Sequence, residues 1–289
     1  MEKTISQYNQ VMSKCKDIFS NKMKDYGASW RVLRTKSLTD QIFIKANRIR
    51  TLEETGVTKV DEGIEPEFIV MKYNEKGEPV KAIDNDPPNG IKPRRQAFGY
   101  DVEYSIDSME FLKELIDTVN ELGWDMKDVV CEGAYSQFEL DFTYTDILQM
   151  ADRLVFLRVL LKEVAKKYGM FITFMPKPTI GDWRSGAHIN FSMIDKNGKN
   201  IFDGGNKWSK ESLFAVGGLM KHAEALTSIT CSTVNSYNGL VPRVGGFEGG
   251  TVTWAPTNIT YGHNNRSAQF RLPQNRYCIE NRAADMTMN

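Results

Sequence analysis

The sequence predicts an α+β protein, in which a largely antiparallel, curved sheet carries helices on its outer face and follows an N-terminal α-helical segment. Residues 107–123 and 146–169 place apolar side chains at helical spacing, whereas 187–194 alternates polar and apolar residues as a strand does. Strand and helix patterns alternate through the middle of the chain, and clustered strand patterns follow. This order favours helices that cover one face of an antiparallel sheet.

Two helix patterns open the chain. Residues 4–25 are amphipathic, and the motif SLTD at 37–40 resembles a capping box with Asp in place of the usual Glu. The apolar face that follows ends at Gly56, a residue type that commonly stops helices. Because two helices cannot close a core by themselves, this segment is expected to pack against another part of the protein.

The predicted sheet begins near residue 65. A strand through 65–72 leads to a loop at 84–93, whose prolines and glycine exclude regular structure. The next helix starts at a capping box, 107–110, and ends at Gly123. Further strands are predicted at 129–130, 138–142, 171–175, 187–194, 251–260 and 267–272, and further helices at about 146–169 and 210–226.

Composition excludes several classes of protein. The 289 residues include 37 basic and 37 acidic side chains, and no basic stripe indicates nucleic-acid binding. The four cysteines lack paired spacing and are expected to be reduced thiols, which makes a zinc site unlikely on spacing: Cys15, Cys131, Cys231 and Cys278. No secretory signal or membrane-spanning run is evident, so a soluble, cytoplasmic protein without nucleic-acid or membrane partners is expected.

Carboxylates recur at spacings that bring them to one side of the sheet. Glu65 and Glu67 are two residues apart in a strand, so both point to one face, roughly 7 Å apart by the strand rise. Pro66 between them cannot donate to a strand ladder, so its nitrogen should face an edge or a bulge. Glu132 and Glu139 flank a glycine-containing turn, and in a hairpin either arm can present its carboxylate to the same side.

The remaining polar positions follow the same two-residue rule. His188, Asn190 and Ser192 share one face of their strand, and Glu280 and Arg282 share a face of another. Carboxylates gathered in one cavity repel one another unless cations neutralise them. Convergence of these side chains would therefore imply divalent metal ions.

Two arginines, Arg266 and Arg271, precede Glu280. Arginines aimed at the same cavity imply an anionic ligand, and phosphate is the usual one. Each motif alone also has a structural interpretation: His188 as a core imidazole, the arginines as surface charges, and Glu280 with Arg282 as a salt bridge of little consequence. The joint order of the motifs favours the functional interpretation.

Six ordered motifs resemble those of the glutamine synthetase catalytic domain. They are GIEPEF (63–68), CEGAYSQFE (131–139), SGAHINFS (185–192), NSYNGLVP (235–242), NNRSAQFRLP (264–273) and IENRAAD (279–285). The resemblance extends from about residue 63 to residue 289 and implies the glutamine synthetase/guanido kinase-like fold.

The resemblance implies a role for each matched residue. Three would bind one divalent ion: Glu67, Glu132 and Glu139. Three would bind a second ion, nearer the nucleotide phosphates: Glu65, His188 and Glu280. Two would stabilise the transferring phosphoryl group and its products: Arg266 and Arg271. Arg282 would face the substrate γ-carboxylate, and Asn190, Ser192 and Arg271 would lie near the nucleotide. Glu248, in a glycine-rich segment, would be the acid of a mobile flap that closes the site and helps deprotonate ammonium.

The implied activity is formation of glutamine from glutamate and ammonia, with ATP as co-substrate and Mg²⁺ or Mn²⁺ as cofactor. A carboxylate resists attack by an amine, so ATP first converts it into an acyl phosphate, from which ammonia displaces phosphate. Metals and arginines offset charge on the transferring group. Closure of a flap keeps water from hydrolysing the intermediate.

Three places depart from the family pattern. Trp183-Arg184 stands where the family carries Asn-Gly, which holds the substrate's amino group. Asn238-Gly239 stands where an arginine normally follows the NSY block, which leaves Arg243 as a candidate substitute. Cys278 replaces another arginine near the nucleotide. Two alternatives therefore stay open: a γ-glutamylamide ligase that uses an alkylamine, and a remnant that binds ATP or metal without turnover.

The resemblance divides the chain into two parts. Residues 1–62 resemble a truncated nucleotide-modification-associated helical domain of bacteria, and 63–289 the catalytic domain, incomplete at its C-terminus. In the family's homo-oligomers a small N-terminal β domain completes the neighbouring active site. The family pattern predicts a homo-oligomer. The β domain is not recognised in this sequence, however, and its absence counts against that expectation. A third alternative makes 1–62 a nucleotide pyrophosphohydrolase-like module, although the paired acidic motifs of such enzymes are not evident there.

Overall fold

Ten strands form one sheet in the computed structural model, which describes residues 59–82, 109–134, 136–179, 183–241, 254–274 and 276–287. The strands are β1 (Lys59–Tyr73), β2 (Pro79–Lys81), β3 (Met126–Cys131), β4 (Gln137–Phe142), β5 (Thr145–Asp146), β6 (Phe171–Thr173), β7 (Ala187–Ile194), β8 (Tyr261–His263), β9 (Phe270–Leu272) and β10 (Ile279–Asn281). The helices are α1 (Met109–Glu121), α2 (Ile147–Lys167), α3 (Lys210–Lys221), α4 (Ala223–Thr230) and α5 (Val234–Asn238). The predicted α+β class is confirmed.

The sheet is built around the 15-residue strand β1. The strand order is β3-β4-β1-β7-β10-β9-β8, and β2, β5 and β6 each pair with β1 as well. All of these pairs are antiparallel apart from β8 with β9, which is parallel. The predicted, largely antiparallel arrangement is therefore confirmed in the described part of the chain.

Pro66 lies at a local edge of β1, as the sequence predicts. The Glu67 N–H donates to the Gly186 carbonyl on the β7 side at 3.0 Å, so the Pro66 nitrogen faces the opposite side. On that side β1 pairs with β5 through Asp61 and Glu62, and with β4 from Glu67 onward. Pro66 falls in the interval between these partners, where a missing N–H leaves no ladder bond unmade.

Helices α1 and α2 pack on one face of the sheet. Ile64, Phe68 and Val70 point from β1 into this core, because they alternate with the glutamates on the opposite face. Leu115 of α1 and Leu157 of α2 are fully buried in the same cluster. Both helices end within two residues of their predicted limits, and the Asp146 side chain caps α2 by accepting the Gln149 N–H at 3.0 Å.

The far end of the sheet buries a second core against α3 and α4. Phe270 and Leu272 of β9 and Ile279 of β10 are buried there with Val216 of α3. The single helix predicted near 210–226 is two helices. The break lies at His222, whose φ of −109° and ψ of 12° end α3, and whose N–H bonds to carbonyls of the preceding turn.

One predicted strand is wrong. The described part of 251–260, residues 254–260, forms no strand, and the strand lies instead at Tyr261–His263. Strand β9 is also shorter than predicted, because the chain turns at Asn264 (φ 50°) and the Ala268 N–H closes onto the Asn265 carbonyl. The predicted helices at 4–25 and 37–56 lie outside the described residues.

The structure also bears on the predicted cysteines, on membrane-spanning helices and on the predicted boundary between 62 and 63. Cys131, Cys231 and Cys278 are buried free thiols, as predicted. None of the described helices has the length and apolar character needed to cross a bilayer. Strand β1 begins at Lys59 and runs through the predicted boundary between 62 and 63, so the division into two parts stays a prediction.

Candidate active site

The strand face opposite the α1 and α2 core lines a cavity of about 760 Å³. Ten of the twelve predicted site residues line it: Glu65, Glu67, Glu132, Glu139, His188, Asn190, Arg266, Arg271, Glu280 and Arg282. Ser192 is buried and paired with Asp61 across β7 and β1, and it does not line the cavity. Glu248 and the candidate substitute Arg243 lie outside the described residues.

The pairing of β1 with β7 sets Glu65 opposite His188. The Glu65 Oε2 lies 3.1 Å from His188 Nδ1, and its Oε1 accepts a hydrogen bond of 2.9 Å from the Asn190 amide. Burial raises the pKa of Glu65, but the hydrogen bond with His188 and nearby positive charge lower it overall. Burial lowers the pKa of His188, which favours the neutral imidazole that ligates metals.

Glu67 is held by groups that sequence reasoning missed. Its Oε2 accepts from the Gln137 amide and from the Gly186 N–H, both at 2.9 Å. The same Gln137 nitrogen also donates to the Arg184 carbonyl and to the Ser185 hydroxyl. Gln137 stands two residues before Glu139 in β4, and that spacing was the signal available in the sequence.

Three side chains approach closely enough to hold one ion. A carboxylate oxygen of Glu65, one of Glu139 and a ring nitrogen of His188 all lie within 4.8 Å of one another. Carboxylate and imidazole donors suit Mg²⁺ or Mn²⁺, so the donor set fits such an ion. The trio draws on both of the ligand sets that the resemblance implies.

The cavity gathers more negative charge than its own cations neutralise. Burial raises the pKa of Glu67 to about 8, and the nearby Glu132 adds to the shift. Burial raises the pKa of Glu132 to about 7 and that of Asp141 to about 6. Burial, followed by Glu67, Glu65 and Glu132, raises the pKa of Glu139 well above its usual range. A dication would restore the ionised forms, which is the physical case for metal at this site.

The three predicted arginines have different surroundings. Arg271 Nη1 donates to Glu280 Oε2 at 2.8 Å, and Arg282 Nη1 donates to the other oxygen of the same carboxylate. The salt bridge between Glu280 and Arg282 that the structural interpretation expected is therefore present, and both side chains are buried. Arg266 instead lies over the Trp254 ring, with its guanidinium carbon 5.5 Å from the ring centre.

Cys278 lies beside Asn190, for which the resemblance implies a place near the nucleotide. Its thiol donates to the Asn190 side-chain oxygen at 3.7 Å and accepts from the Tyr144 hydroxyl at 3.4 Å. Burial, followed by the thiol, raises the pKa of Tyr144 beyond its usual range. A buried thiol bonded to the Tyr144 hydroxyl thus stands at the position where the resemblance implies an arginine.

Gly186→Ala is expected to weaken Mn²⁺ binding roughly 10-fold. An added Cβ would lie 3.1 Å from Glu67 Oε1 and 3.2 Å from His188 Nε2, so both side chains would have to move. Calorimetric titration with Mn²⁺ measures the change. Gly218→Ala in α3 is the matched control, because its Cβ meets nothing within 4 Å. Equal Mn²⁺ affinity in the two variants would contradict the expectation.

A largely antiparallel sheet with helices on one face and a carboxylate-lined cavity on the other defines a class: an α+β domain with an acidic site. The family model of the glutamine synthetase catalytic domain matches residues 44–289. The chain therefore belongs to the glutamine synthetase family.

Individual relatives agree with the family. A glutamine synthetase of Pyrococcus abyssi is 36% identical over 244 residues, which are 83% of this chain and 50% of that protein. A glutamate–methylamine ligase of Methyloversatilis universalis is 35% identical over 233 residues, 78% of this chain and 49% of that protein. The chain thus spans about half the length of the curated relatives it matches.

Solved structures share the fold. A GmaS/ADP complex superposes with a TM-score of 0.70 at 30% identity, covering 83% of this chain and 53% of that one. Plasmodium falciparum glutamine synthetase superposes with a TM-score of 0.68 at 25% identity, covering 84% of this chain and 51% of that one. The glutamine synthetase-like fold that the motifs predict is confirmed.

Proposed function

We propose that the protein is an ATP-dependent ligase that joins ammonia to the γ-carboxylate of glutamate through γ-glutamyl phosphate, and so serves nitrogen assimilation. The observation that carries the proposal is the convergence of five predicted glutamates and His188 on one cavity, with paired arginines beside them. The 36% identity to a glutamine synthetase supports the same reaction. Mg²⁺ or Mn²⁺ and ATP are the proposed cofactor and co-substrate.

The carboxylates would hold two divalent ions. Three residues are proposed for the first ion: Glu67, Glu132 and Glu139. Three are proposed for the second: Glu65, His188 and Glu280. The ions, when bound, would offset the negative charge of the ATP phosphates. Gln137 and the Gly186 N–H would fix the orientation of Glu67, since each hydrogen-bonds its Oε2.

The arginines would act on the anions. Arg271 and Arg282 each share Glu280, which holds their guanidinium groups facing the cavity. Fixed cations placed where charge develops need little reorganisation, so they stabilise phosphoryl transfer effectively. Arg266, held over Trp254, would contact the departing phosphate, and Arg282 the substrate γ-carboxylate. Asn190 and Arg271 are proposed near the nucleotide, and Glu248 as the flap acid, whereas Ser192 does not line the cavity.

The purified protein with ATP, Mn²⁺, glutamate and hydroxylamine is expected to release phosphate and form γ-glutamyl hydroxamate in equal amounts. Hydroxylamine replaces ammonia and reports the acyl phosphate directly. Omitting glutamate is the control, because phosphate released without it reflects ATP hydrolysis. Tight binding of ATP and Mn²⁺ with no glutamate-dependent phosphate would contradict the proposed activity and favour a non-catalytic remnant.

An alkylamine is the second candidate for the nitrogen donor. Trp183, which replaces the family's asparagine, and Trp254 form an apolar wall of the cavity, with ring centres 5.6 Å apart. The glutamate–methylamine ligase among the relatives supports this candidate as well. Measuring kcat/KM with ammonia and with methylamine under identical conditions decides between them.

A further inference from the structure

The segment Trp183-Arg184 places two large side chains on two glycines. A Cβ added to Gly133 would lie 2.6 Å from the Trp183 ring, and one added to Gly239 would lie 2.8 Å from Arg184 Cβ. Such distances are closer than real Cβ atoms approach, so both glycines must lack side chains for this segment to lie where it does. Trp183, Arg184 and Gly239 line the cavity, and Gly133 does not.

Arg184 is a buried cation with unused hydrogen-bonding capacity. Only 9% of its side chain is exposed. Each hydrogen bond that its side chain makes within the described residues uses Nη2, including bonds of 3.3 Å to Asp285 Oδ2 and to the Ala284 carbonyl. Its Nε is buried without a hydrogen-bond partner among the described residues. A guanidinium held at Nη2 in this way leaves Nη1 to receive an anion.

Arg184 and Gly239 lie against each other, and both differ from the residues that the resemblance implies. The resemblance implies glycine at the position of Arg184 and an arginine after the NSY block, where this chain has Asn238-Gly239. In the structure the Arg184 side chain fills the space above Gly239, with its Cδ 2.9 Å and its Nε 3.0 Å from the added Cβ. The guanidinium therefore enters this space from the segment that faces Gly239.

The charge of the cavity restricts what Arg184 can bind. The acid substrate of the proposed function carries a second carboxylate, which the acidic wall at Glu65, Glu67 and Glu139 would repel. Arg271 and Arg282 share Glu280 and are assigned above to the phosphoryl group and to the reacting γ-carboxylate. Arg184 lies next to the acidic wall, because its backbone carbonyl accepts a hydrogen bond from the same Gln137 nitrogen that donates to Glu67.

We propose that Arg184 binds the non-reacting carboxylate of the acid substrate, and that Gly239 supplies the clearance that places its guanidinium. This inference rests on the proposed function. The ligand class is an amino acid or short dicarboxylate whose two acid groups reach Arg184 and the phosphoryl-transfer centre together. The competing explanation is structural: Arg184 would only tie Asp285 to the turn at Gly239.

The test compares substitutions of Arg184 and of Gly239. Arg184→Gln is expected to raise the KM for glutamate roughly 10- to 100-fold and to leave the KM for ATP within about twofold, since a lost charged hydrogen bond has that size. Gly239→Ala, which displaces Arg184 without removing it, is expected to raise the glutamate KM several-fold. Gly218→Ala is the matched control. The pair Arg184→Gly with Gly239→Arg is expected to recover most of the glutamate affinity, because the guanidinium then enters from the facing segment.

Two readouts separate this inference from the proposed function. Wild-type hydroxamate formation tests the function alone, and calorimetric binding of glutamate to the ATP-loaded protein tests Arg184. If the wild type is active and Arg184→Gln has an unchanged glutamate KM, the proposed role of Arg184 is overturned and the proposed function stands. If Arg184→Gln does not fold, two results together would overturn the role of Arg184 equally. The double variant Arg184→Gly with Gly239→Arg would bind glutamate no more tightly than Arg184→Gly alone, and Gly239→Ala would have the same glutamate KM as the control Gly218→Ala.

Discussion

Glu139→Gln is expected to lower glutamate-dependent phosphate release by about 100-fold or more and to weaken Mn²⁺ binding with it. Glu139 belongs to the trio whose donor atoms lie within 4.8 Å of one another, and an amide is a poor substitute for an anionic ligand. The metal-free variant is expected to unfold at a higher temperature than the wild type. Burial and the neighbouring Glu67 raise the pKa of Glu139 strongly, so the metal-free fold has to keep a proton on this side chain, and Gln removes that requirement.

These opposite effects make the experiment specific. Calorimetric Mn²⁺ titration, hydroxamate assays and thermal unfolding with and without Mn²⁺ measure all three quantities on one preparation. Glu121→Gln, at an exposed position at the end of α1, is the matched control and should change none of them. Wild-type Mn²⁺ affinity in Glu139→Gln would remove this residue from the proposed metal site.

The metal-free protein is expected to lose stability as the pH rises from about 5 to about 8. The folded protein keeps the protons of Glu67 and Glu132 until the pH approaches their pKa values of about 8 and about 7. The unfolded chain releases them near pH 4.5, so the folded state binds more protons throughout this window. Unfolding free energy therefore falls with rising pH, by ~1.4 kcal/mol per unit for each group that stays protonated.

Saturating Mn²⁺ is expected to flatten this dependence, because the ion stabilises the ionised carboxylates of the cavity. Unfolding temperatures measured across the pH window with and without Mn²⁺ give the comparison. Burial also raises the pKa of Glu62 to about 7, but Glu62 does not line the cavity. Glu62→Gln should remove a share of the slope that Mn²⁺ leaves in place. A slope that Mn²⁺ does not change would contradict metal binding at these carboxylates.

Much of the site could be predicted from local spacing. Glu65 and Glu67 share a strand face with period two, and His188 and Asn190 do so in β7, which is why these residues reach one cavity. The limits of α1 and α2 followed from apolar stripes and caps in the same way. The strand predicted at 251–260 failed, because short apolar runs with turns do not distinguish strand from loop.

Other features depend on contacts between distant segments. Glu67 is oriented by Gln137 and by Gly186, which are 70 and 119 residues away in the chain. Glu65, Glu139 and His188, whose donor atoms lie within 4.8 Å of one another, come from β1, β4 and β7. The resemblance assigns Glu139 to one ion and the other two residues to the second. No spacing within one element encodes such a grouping.

The sequence by itself determined the family, the class of fold and which side chains share a face, because side-chain periodicity and motif order are local properties of the chain. The tertiary structure alone decided which donors meet, that Glu280 binds two arginines, and that Arg184 occupies the space above Gly239. These facts depend on strand register and on the close approach of segments far apart in sequence, where distance and burial set the strength of each charge interaction.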